Sequence, residues 1–246
     1  MVVELTVLGC SGSFNAPPAG PCSGYLVRHG NTSIWMDCGN GTFAHLQEHV
    51  SAEDLTAVVI THEHPDHCAD VYGLHVLMRY GLERKGFPIY GPEGIDAHLG
   101  QLVDGGWGDT FDWHIIDDSS KTRVGDIGLR FSRTDHPPPT YAVEATADGK
   151  RLVYTADTGP DWTVDAFGKG ADLVLSEATY LADGSKPDYP HLTAAEAGIA
   201  AREAAAHRLV LTHLWPGLDR RMAVAEGSEA FGEAVILAAP HLTCRV

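Results

Sequence analysis

The sequence predicts an α/β fold in which two mixed β-sheets pack together with helices outside. Short apolar segments typical of strands alternate with helical segments, and each half of the chain runs from strands to helices. The 246 residues, of which 44% are hydrophobic, can bury one substantial core without a linker. We find no internal repeat of fixed period, so residues 1–246 are expected to form a single domain.

The first half of the chain begins with three short strands separated by glycine- and proline-rich turns. These strands are predicted at residues 5–8, 24–28 and 33–36. The elements predicted next are a short helix at 42–49, a buried strand at 55–60, a helix at 70–80, a strand at 88–90 and a helix at 94–103. The glycine-rich segment 105–109 is predicted to be a loop that could border a pocket.

The second half repeats this order. Strands dominate from residue 113 to residue 155 and include segments at 127–134, 140–146 and 151–154. The chain then alternates through a strand at 173–176, an alanine-rich helix at 193–206, a strand at 208–212, a helix at 220–231 and a strand at 235–237.

Composition limits the partners and the compartment. The net charge of −16 should repel nucleic-acid backbones and anionic membranes and argues against both as partners, whereas a small anionic substrate is still compatible with it. Five cysteines without a CxxC pair argue against a disulfide framework and favour the cytoplasm. The N-terminus lacks the features of a signal peptide, and no apolar stretch approaches the roughly 20 residues of a membrane span.

The segment 61–67, Thr-His-Glu-His-Pro-Asp-His, carries the strongest chemical signal. Imidazole and carboxylate groups bind zinc and similar divalent ions, and His62, His64, Asp66 and His67 are close enough in sequence to serve two neighbouring ions. The segment follows a predicted strand, and α/β folds usually place their chemistry at the carboxyl ends of strands. It therefore predicts a metal-dependent hydrolase. Cys68 is expected to be a small buried thiol rather than a ligand.

Three further candidate ligands each follow the end of a predicted strand. They are His136, Asp157 and His213. If these strands lie in neighbouring sheets, their carboxyl ends converge on one edge and face the segment 62–67.

These motifs resemble the metallo-β-lactamase superfamily, whose HxHxDH signature matches residues 62–67. The opening Leu-Gly-Cys-Ser-Gly-Ser at 8–13 and the Asp-Cys-Gly at 37–39 are similar to the first glycine turn and the structural aspartate turn of that family. The resemblance implies a four-layer αβ/βα sandwich. It also implies that one metal is bound by His62, His64 and His136, a second by Asp66, His67 and His213, and that Asp157 bridges both.

The chain further resembles the tRNase Z-like phosphodiesterase branch at residues 154–159, 176–180 and 191–198. In that branch a glutamate and a loop histidine, here Glu177 and His191, support proton delivery to the leaving oxygen. Glu177 could instead cap a strand end, and the segment that starts at His191 could be a helix start, because Thr193 and Glu196 fit a capping box.

The chain departs from tRNase Z in one segment. The long tRNA-binding arm of that enzyme lies between the third histidine and the bridging aspartate, whereas only a hairpin-sized stretch separates His136 from Asp157 here. The layout is closer to bacterial members that look like cyclic-nucleotide phosphodiesterases. A small phosphodiester is therefore the expected substrate.

We expect a hydroxide held between two metals to attack phosphorus, Asp66 to orient this nucleophile, and His191, supported by Glu177, to protonate the leaving oxygen. The alternatives are a tRNase Z-type RNA endonuclease, a lactone, ester or thioester hydrolase, and a non-catalytic metal-binding sensor. Zinc is the expected metal, with manganese or iron as alternatives. The tRNase Z resemblance and apolar loops favour a homodimer. Trp107, Tyr141 and Trp215 are candidates to stack on a base, although such aromatics more often pack in the core.

Overall fold

Two seven-stranded sheets form the centre of the computed structural model, which describes residues 2–182 and 189–246. Strands are numbered β1 to β14 along the chain. The first sheet contains β1 (Glu4–Gly9), β2 (Gly24–His29), β3 (Thr32–Cys38), β4 (Ala57–Val59), β5 (Phe87–Pro92), β6 (Phe111–Ile116) and β14 (Thr243–Arg245). Its order is β14-β1-β2-β3-β4-β5-β6, antiparallel from β14 to β3 and parallel from β3 to β6.

The second sheet repeats this plan with the other half of the chain. Its strands are β7 (Lys121–Val124), β8 (Ile127–Arg133), β9 (Tyr141–Ala147), β10 (Lys150–Tyr154), β11 (Leu173–Glu177), β12 (Leu209–Thr212) and β13 (Ile236–Leu237). The order is β13-β12-β11-β10-β9-β8-β7, with parallel pairing from β10 to β13 and antiparallel pairing from β7 to β10.

Helices cover the outer face of each sheet. They are α1 (Thr42–His49), α2 (Pro65–Cys68), α3 (Val71–Val76), which continues into a π-helical turn (Leu77–Gly81), α4 (Ile95–Gly100), α5 (Ala194–Glu203) and α6 (Arg220–Phe231). Short 3-10 helices lie at Ala52–Asp54 and Val164–Phe167. Among the described residues no helix is long and apolar enough to cross a bilayer.

Three buried apolar clusters hold these layers together. One lies between the two sheets and includes Val7, Met36, Phe131 and Tyr154. A second joins the outer face of the first sheet to α1–α4, and a third joins the second sheet to α5 and α6. Burial of apolar surface on both faces of each sheet is the main stabilising contribution in such a layered fold. This αβ/βα sandwich confirms the predicted fold class.

The boundaries differ from the predicted ones where local geometry overrides the apolar pattern. The helix predicted at 94–103 ends at Gly100, and the helix predicted at 193–206 ends at Glu203 because Ala205 takes a φ of 50°. The strand predicted at 55–60 is paired only from Ala57 to Val59. Strand β14 was not predicted, since three residues with one buried side chain carry too weak a pattern.

The topology places the ends of β4, β8, β10 and β12 at one edge. Strands β8, β10 and β12 run in the same direction, so their carboxyl ends lie together in the second sheet. A bridge between Ser11 and Leu214 ties this edge to the first sheet. Every loop that follows these strands can therefore deliver a side chain to the same place.

Candidate metal centre

The first group of donor atoms combines both sheets. His62 and His64 follow β4, whereas His136 and Asp157 follow β8 and β10. Nδ1 of His64 lies 3.0 Å from Nε2 of His62 and 3.3 Å from Nε2 of His136. Nitrogen ligands at about 2.0–2.1 Å from a tetrahedral zinc ion stand roughly 3.3 Å apart, so these three nitrogens have the spacing that such an ion requires.

The second group also draws on both sheets. Asp66 and His67 lie in α2, the single turn that follows β4, and His213 follows β12. Nε2 of His213 is 3.3 Å from Nε2 of His67 and 3.2 Å from Oδ2 of Asp66. The backbone amide of Ser13 donates to the same oxygen at 2.9 Å and fixes the carboxylate.

Asp157 lies between the two groups with one oxygen towards each. Oδ1 is 3.3 Å from Nε2 of His67 and 3.6 Å from Nε2 of His213, and Oδ2 is 3.7 Å from Nε2 of His62. Oδ1 is buried and accepts no hydrogen bond from the described residues. A buried carboxylate oxygen without a donor is costly unless a cation takes its lone pair, so the residues fit a metal-bridging position.

Asp37, in β3, organises the histidines of the first sheet. Its Oδ2 accepts hydrogen bonds from Nδ1 of His67 at 2.7 Å, the hydroxyl of Tyr154 at 2.7 Å and Oγ1 of Thr61 at 3.0 Å. Oγ1 of Thr61 is also 3.0 Å from Nδ1 of His62. Nδ1 of His67 donates to Asp37 and Nδ1 of His62 donates to Thr61, which leaves Nε2 of both rings for a metal.

Glu177, at the end of β11, plays the same part in the second sheet. It accepts bonds from Thr158 N, Thr179 N, Thr179 Oγ1, His191 Nδ1 and Leu192 N at 2.6–3.3 Å. Oγ1 of Thr179 lies 2.9 Å from Nδ1 of His213 and donates to Glu177, so this carboxylate orients a candidate ligand through one hydroxyl. The remaining ligand histidines have partners too, because His136 Nδ1 donates to Pro190 O at 2.9 Å and His64 Nε2 lies 3.3 Å from the Tyr189 hydroxyl.

The electrostatics of the site favour cations. Burial lowers the pKa of His62, His64 and His136, so at neutral pH these rings offer uncharged nitrogens. Burial would raise the pKa of Asp157, but His213 and His67 hold it well below its ordinary value. Burial would likewise lower the pKa of His67, yet the carboxylates of Asp157, Asp37 and Asp66 raise it well above its ordinary value.

His191, like His67, has both a carboxylate partner and a raised pKa, but it is not one of the predicted metal ligands. Burial opposes its charge, but Glu177 at 2.9 Å and the more distant Asp157 raise its pKa to about 9. A donor atom of His191 lies within 4.8 Å of donor atoms of Asp157 and His213, so this ring borders the centre.

Backbone strain is concentrated in the same loops. Asp37, Ala156 and His213 take φ values of 55°, 52° and 57° although none of them is a glycine. Such conformations are uncommon for residues with a side chain and persist where surrounding contacts enforce them. Here they turn the chain sharply at the strand ends and direct the donor groups inwards.

The structure brings all seven predicted ligands together and places Glu177 and His191 beside them. Sequence reasoning missed the residues that orient the ligands, namely Thr61, Thr179, Tyr154 and Tyr189. Thr179 lies within the motif at 176–180, whereas no pattern in the sequence marks Tyr189. Cys68 is a buried thiol that donates to Glu63 O at 3.4 Å, and burial raises the pKa of Cys68 to about 12, so it is not thiolate-like.

The candidate base-stacking aromatics lie in different environments. Trp107 packs on Tyr72 and Phe111 and is only 8% exposed, so its ring is not available to stack on a base. Trp215 is 40% exposed, stacks on Tyr180 and contacts Phe14 edge-on at 5.7 Å. It borders a cavity of about 410 Å³ whose lining residues include none of the predicted metal ligands.

The comparisons with known proteins agree with this geometry. The family described as β-lactamase superfamily domain matches residues 11–214. An uncharacterised protein of Mycobacterium leprae is 34% identical over 242 residues, which cover 94% of this chain and 84% of that protein. A ribonuclease Z of Natronomonas pharaonis is 26% identical over 294 residues, covering 94% of this chain and 95% of the enzyme.

A further relative is known in both sequence and structure. The probable metallo-hydrolase YhfI of Bacillus subtilis is 35% identical over 220 residues, covering 86% of this chain and 87% of YhfI. The crystal structure of YhfI superposes on this chain with a TM-score of 0.90 at 30% identity, and the superposition covers 100% of both chains.

Proposed function

The chain belongs to the β-lactamase superfamily and is a metallo-hydrolase of that family, and from this premise we propose that it hydrolyses small phosphodiesters such as cyclic nucleotides. The observation that carries the proposal is the pair formed by His191 and Glu177 at the edge of the metal centre. The proposal covers the substrate class, the number of metals and the role of this pair.

His191 supplies the proton that an alkoxide leaving group requires. Its pKa of about 9 keeps the imidazole protonated at neutral pH, and the buried Glu177 holds Nδ1 and the ring orientation. A positioned acid of this kind contributes about 10²–10⁴-fold to a reaction whose leaving group is a poor one. Its positive charge also favours an anionic diester over a neutral ester or lactone.

The seven donor residues would hold two divalent cations, His62, His64 and His136 on one side, Asp66, His67 and His213 on the other, and Asp157 between them. When bound, such ions lower the pKa of water towards about 7 and stabilise negative charge on the phosphoryl oxygens. Zinc fits the imidazole-rich donor set best, and manganese or iron also accept it. Asp66, fixed by the amide of Ser13, is placed to orient the nucleophile.

Two features favour a small substrate over a long RNA. The stretch from His136 to Asp157 consists of β9 and β10 joined by the turn at Asp148 and Gly149, so no tRNA-binding arm is inserted there. The net charge of −16 opposes the phosphate contacts that supply most RNA affinity. Phe14 and Trp215, exposed by 48% and 40%, are aromatic surfaces beside the centre on which one base could stack.

The relationship to a ribonuclease Z makes RNA cleavage the second candidate, and one set of assays separates the two. We expect turnover of cyclic AMP and bis(p-nitrophenyl) phosphate by the metal-loaded protein, and no cleavage of a precursor tRNA, a lactone or a thioester. Cleavage of the precursor tRNA at a rate above that of cyclic AMP would reverse the preference.

The leaving group tests the role of His191. Replacing His191 with Ala should lower kcat for cyclic AMP by about 10²–10⁴-fold, but lower kcat for bis(p-nitrophenyl) phosphate by less than about 10-fold, because p-nitrophenolate departs without a proton. His207→Ala, which removes an exposed histidine away from the centre and leaves the Glu177 pair intact, serves as the control. Equal losses on both substrates would exclude His191 as the acid.

A further inference from the structure

A second cluster of histidines lies away from the centre just described. His45 and His49 stand one turn apart on α1, and His241 comes from the loop before β14, 192 residues further along the chain than His49. The His241 ring lies 4.5 Å from the His45 ring and 5.2 Å from the His49 ring. The carboxylate of Glu48 completes the group, since one donor atom from each of His45, Glu48 and His241 lies within 4.8 Å of the others.

Hydrogen bonds fix which nitrogen of each ring is available. Nδ1 of His45 donates to the carbonyl of Leu8 at 2.7 Å, which leaves Nε2 of this ring with its lone pair. Nδ1 of His241 lies 2.9 Å from Nε2 of His49, and Nε2 of His241 is again left available. A metal-binding histidine typically donates its other nitrogen to an outer partner in this way, which fixes its tautomer and orientation.

The backbone holds His241 against α1. Its amide donates to the carbonyl of Val7 at 2.7 Å, and its φ of 66° lies in the left-handed region. The carbonyls of Val7 and Leu8, consecutive residues of β1, thus hold His241 and His45, which lie far apart in the sequence. Side chains so placed are already arranged for a ligand and lose little further freedom on binding one.

The charge balance around the cluster is compatible with a cation. Nε2 of the His49 ring, 2.9 Å from Nδ1 of His241, is placed to accept the proton of that nitrogen. Arg28 donates to the carbonyl of His49 at 3.3 Å, but its charge is paired with Glu4. Glu48 adds the negative charge that two neutral imidazoles lack.

We infer that His45, Glu48 and His241 form a third divalent-cation site, with His49 as its outer hydrogen-bond partner, separate from the catalytic centre. Two imidazoles and one carboxylate suit zinc and similar ions and leave a position for water. A cation bound there joins α1 to the segment that precedes β14, so it stabilises the C-terminal edge of the first sheet. The inference does not depend on the proposed substrate.

Metal stoichiometry tests the inference. Chelator-treated protein titrated with Zn²⁺ in a calorimeter should bind one equivalent more than the His241→Gly and His45→Gln variants. His241→Gly removes the imidazole but accepts the positive φ, so loss of binding cannot be ascribed to a strained backbone. His207→Ala removes an exposed histidine elsewhere and should keep the wild-type stoichiometry.

The catalytic centre provides an independent arm of the same experiment. Asp157→Ala should lose metal from the centre but keep the additional equivalent and its dependence on His241. Saturating Zn²⁺ should also raise the unfolding temperature of wild type more than that of His241→Gly. Equal stoichiometry in wild type, His241→Gly and His45→Gln would overturn the inference, whatever the activity of the protein.

Discussion

At the scale of single residues, we expect Asp157, for which a metal-bridging role is proposed, to be the most sensitive point of the centre. Its two oxygens face different donor groups, and Oδ1 has no hydrogen-bond donor among the described residues. We expect Asp157→Ala to abolish hydrolysis and to lower metal affinity by more than the roughly 10–100-fold that loss of an outer partner costs. Metal analysis after dialysis measures this, with Asp161→Ala as the control. Full activity of Asp157→Ala with one bound metal would exclude the bridging role.

The pH dependence of turnover follows from His191. Its pKa is raised from 6.5 to about 9, so the ion pair with Glu177 stabilises the fold fully below pH 6.5, and this contribution is lost as the pH rises through 9. The acid form is lost over the same range. We therefore expect kcat for cyclic AMP to fall on the alkaline side. The midpoint of this fall should lie at or below pH 9, because bound cations near Asp157 disfavour the protonated form of His191.

The Glu177 carboxylate should control that alkaline limb. Glu177→Gln removes the charge that favours the imidazolium and should move the limb to lower pH, whereas His207→Ala, a change to an exposed histidine away from the centre, should leave it in place. A pH–rate profile measured with cyclic AMP distinguishes the two variants. An alkaline limb that is unchanged in Glu177→Gln would show that another group titrates.

At the scale of elements, the start of α5 is expected to have a structural role without a chemical one. Thr193 caps the helix through the amide of Glu196, and the Glu196 side chain caps in return. Thr193→Ala should lower the free energy of unfolding by about 1 kcal/mol and leave bound metal and kcat unchanged. Denaturant unfolding together with metal analysis checks this. A loss of metal in this variant would mean that the cap positions His191 or His213.

Local patterns predicted the elements and the ligands, and long-range contacts account for what was missed. The segment 62–67 is continuous in sequence, and His136, Asp157 and His213 each follow a recognisable apolar strand, so chain order alone indicated them. Tyr189 and Thr61 act through hydrogen bonds that exist only after the two sheets meet. The sequence alone leaves open whether Trp107 stacks on a base or packs in the core, and tertiary packing buries it.

At the scale of the molecule, the apolar clusters should keep the fold intact without metal. Both faces of each sheet are covered independently of the centre. Chelation should lower the unfolding temperature by roughly 5–10 °C per tightly bound ion, because binding of this strength contributes about 2.7 kcal/mol at a hundredfold excess over Kd. Far-UV circular dichroism before and after chelation measures this. Complete unfolding on chelation would show that the metals, not the core, hold the sheets together.

The predicted metal ligands come from both sheets, and this limits how far the two sheets can move relative to each other. Each donor group takes side chains from both sheets: His62 and His64 meet His136, while Asp66 and His67 meet His213. Nitrogen atoms that must stay about 3.3 Å apart tolerate little sliding between the sheets. A substitution in the apolar layer between them, such as Phe131→Ala, should therefore weaken both metal positions together without touching a ligand. Metal affinity thus reports the alignment of the two halves of the chain.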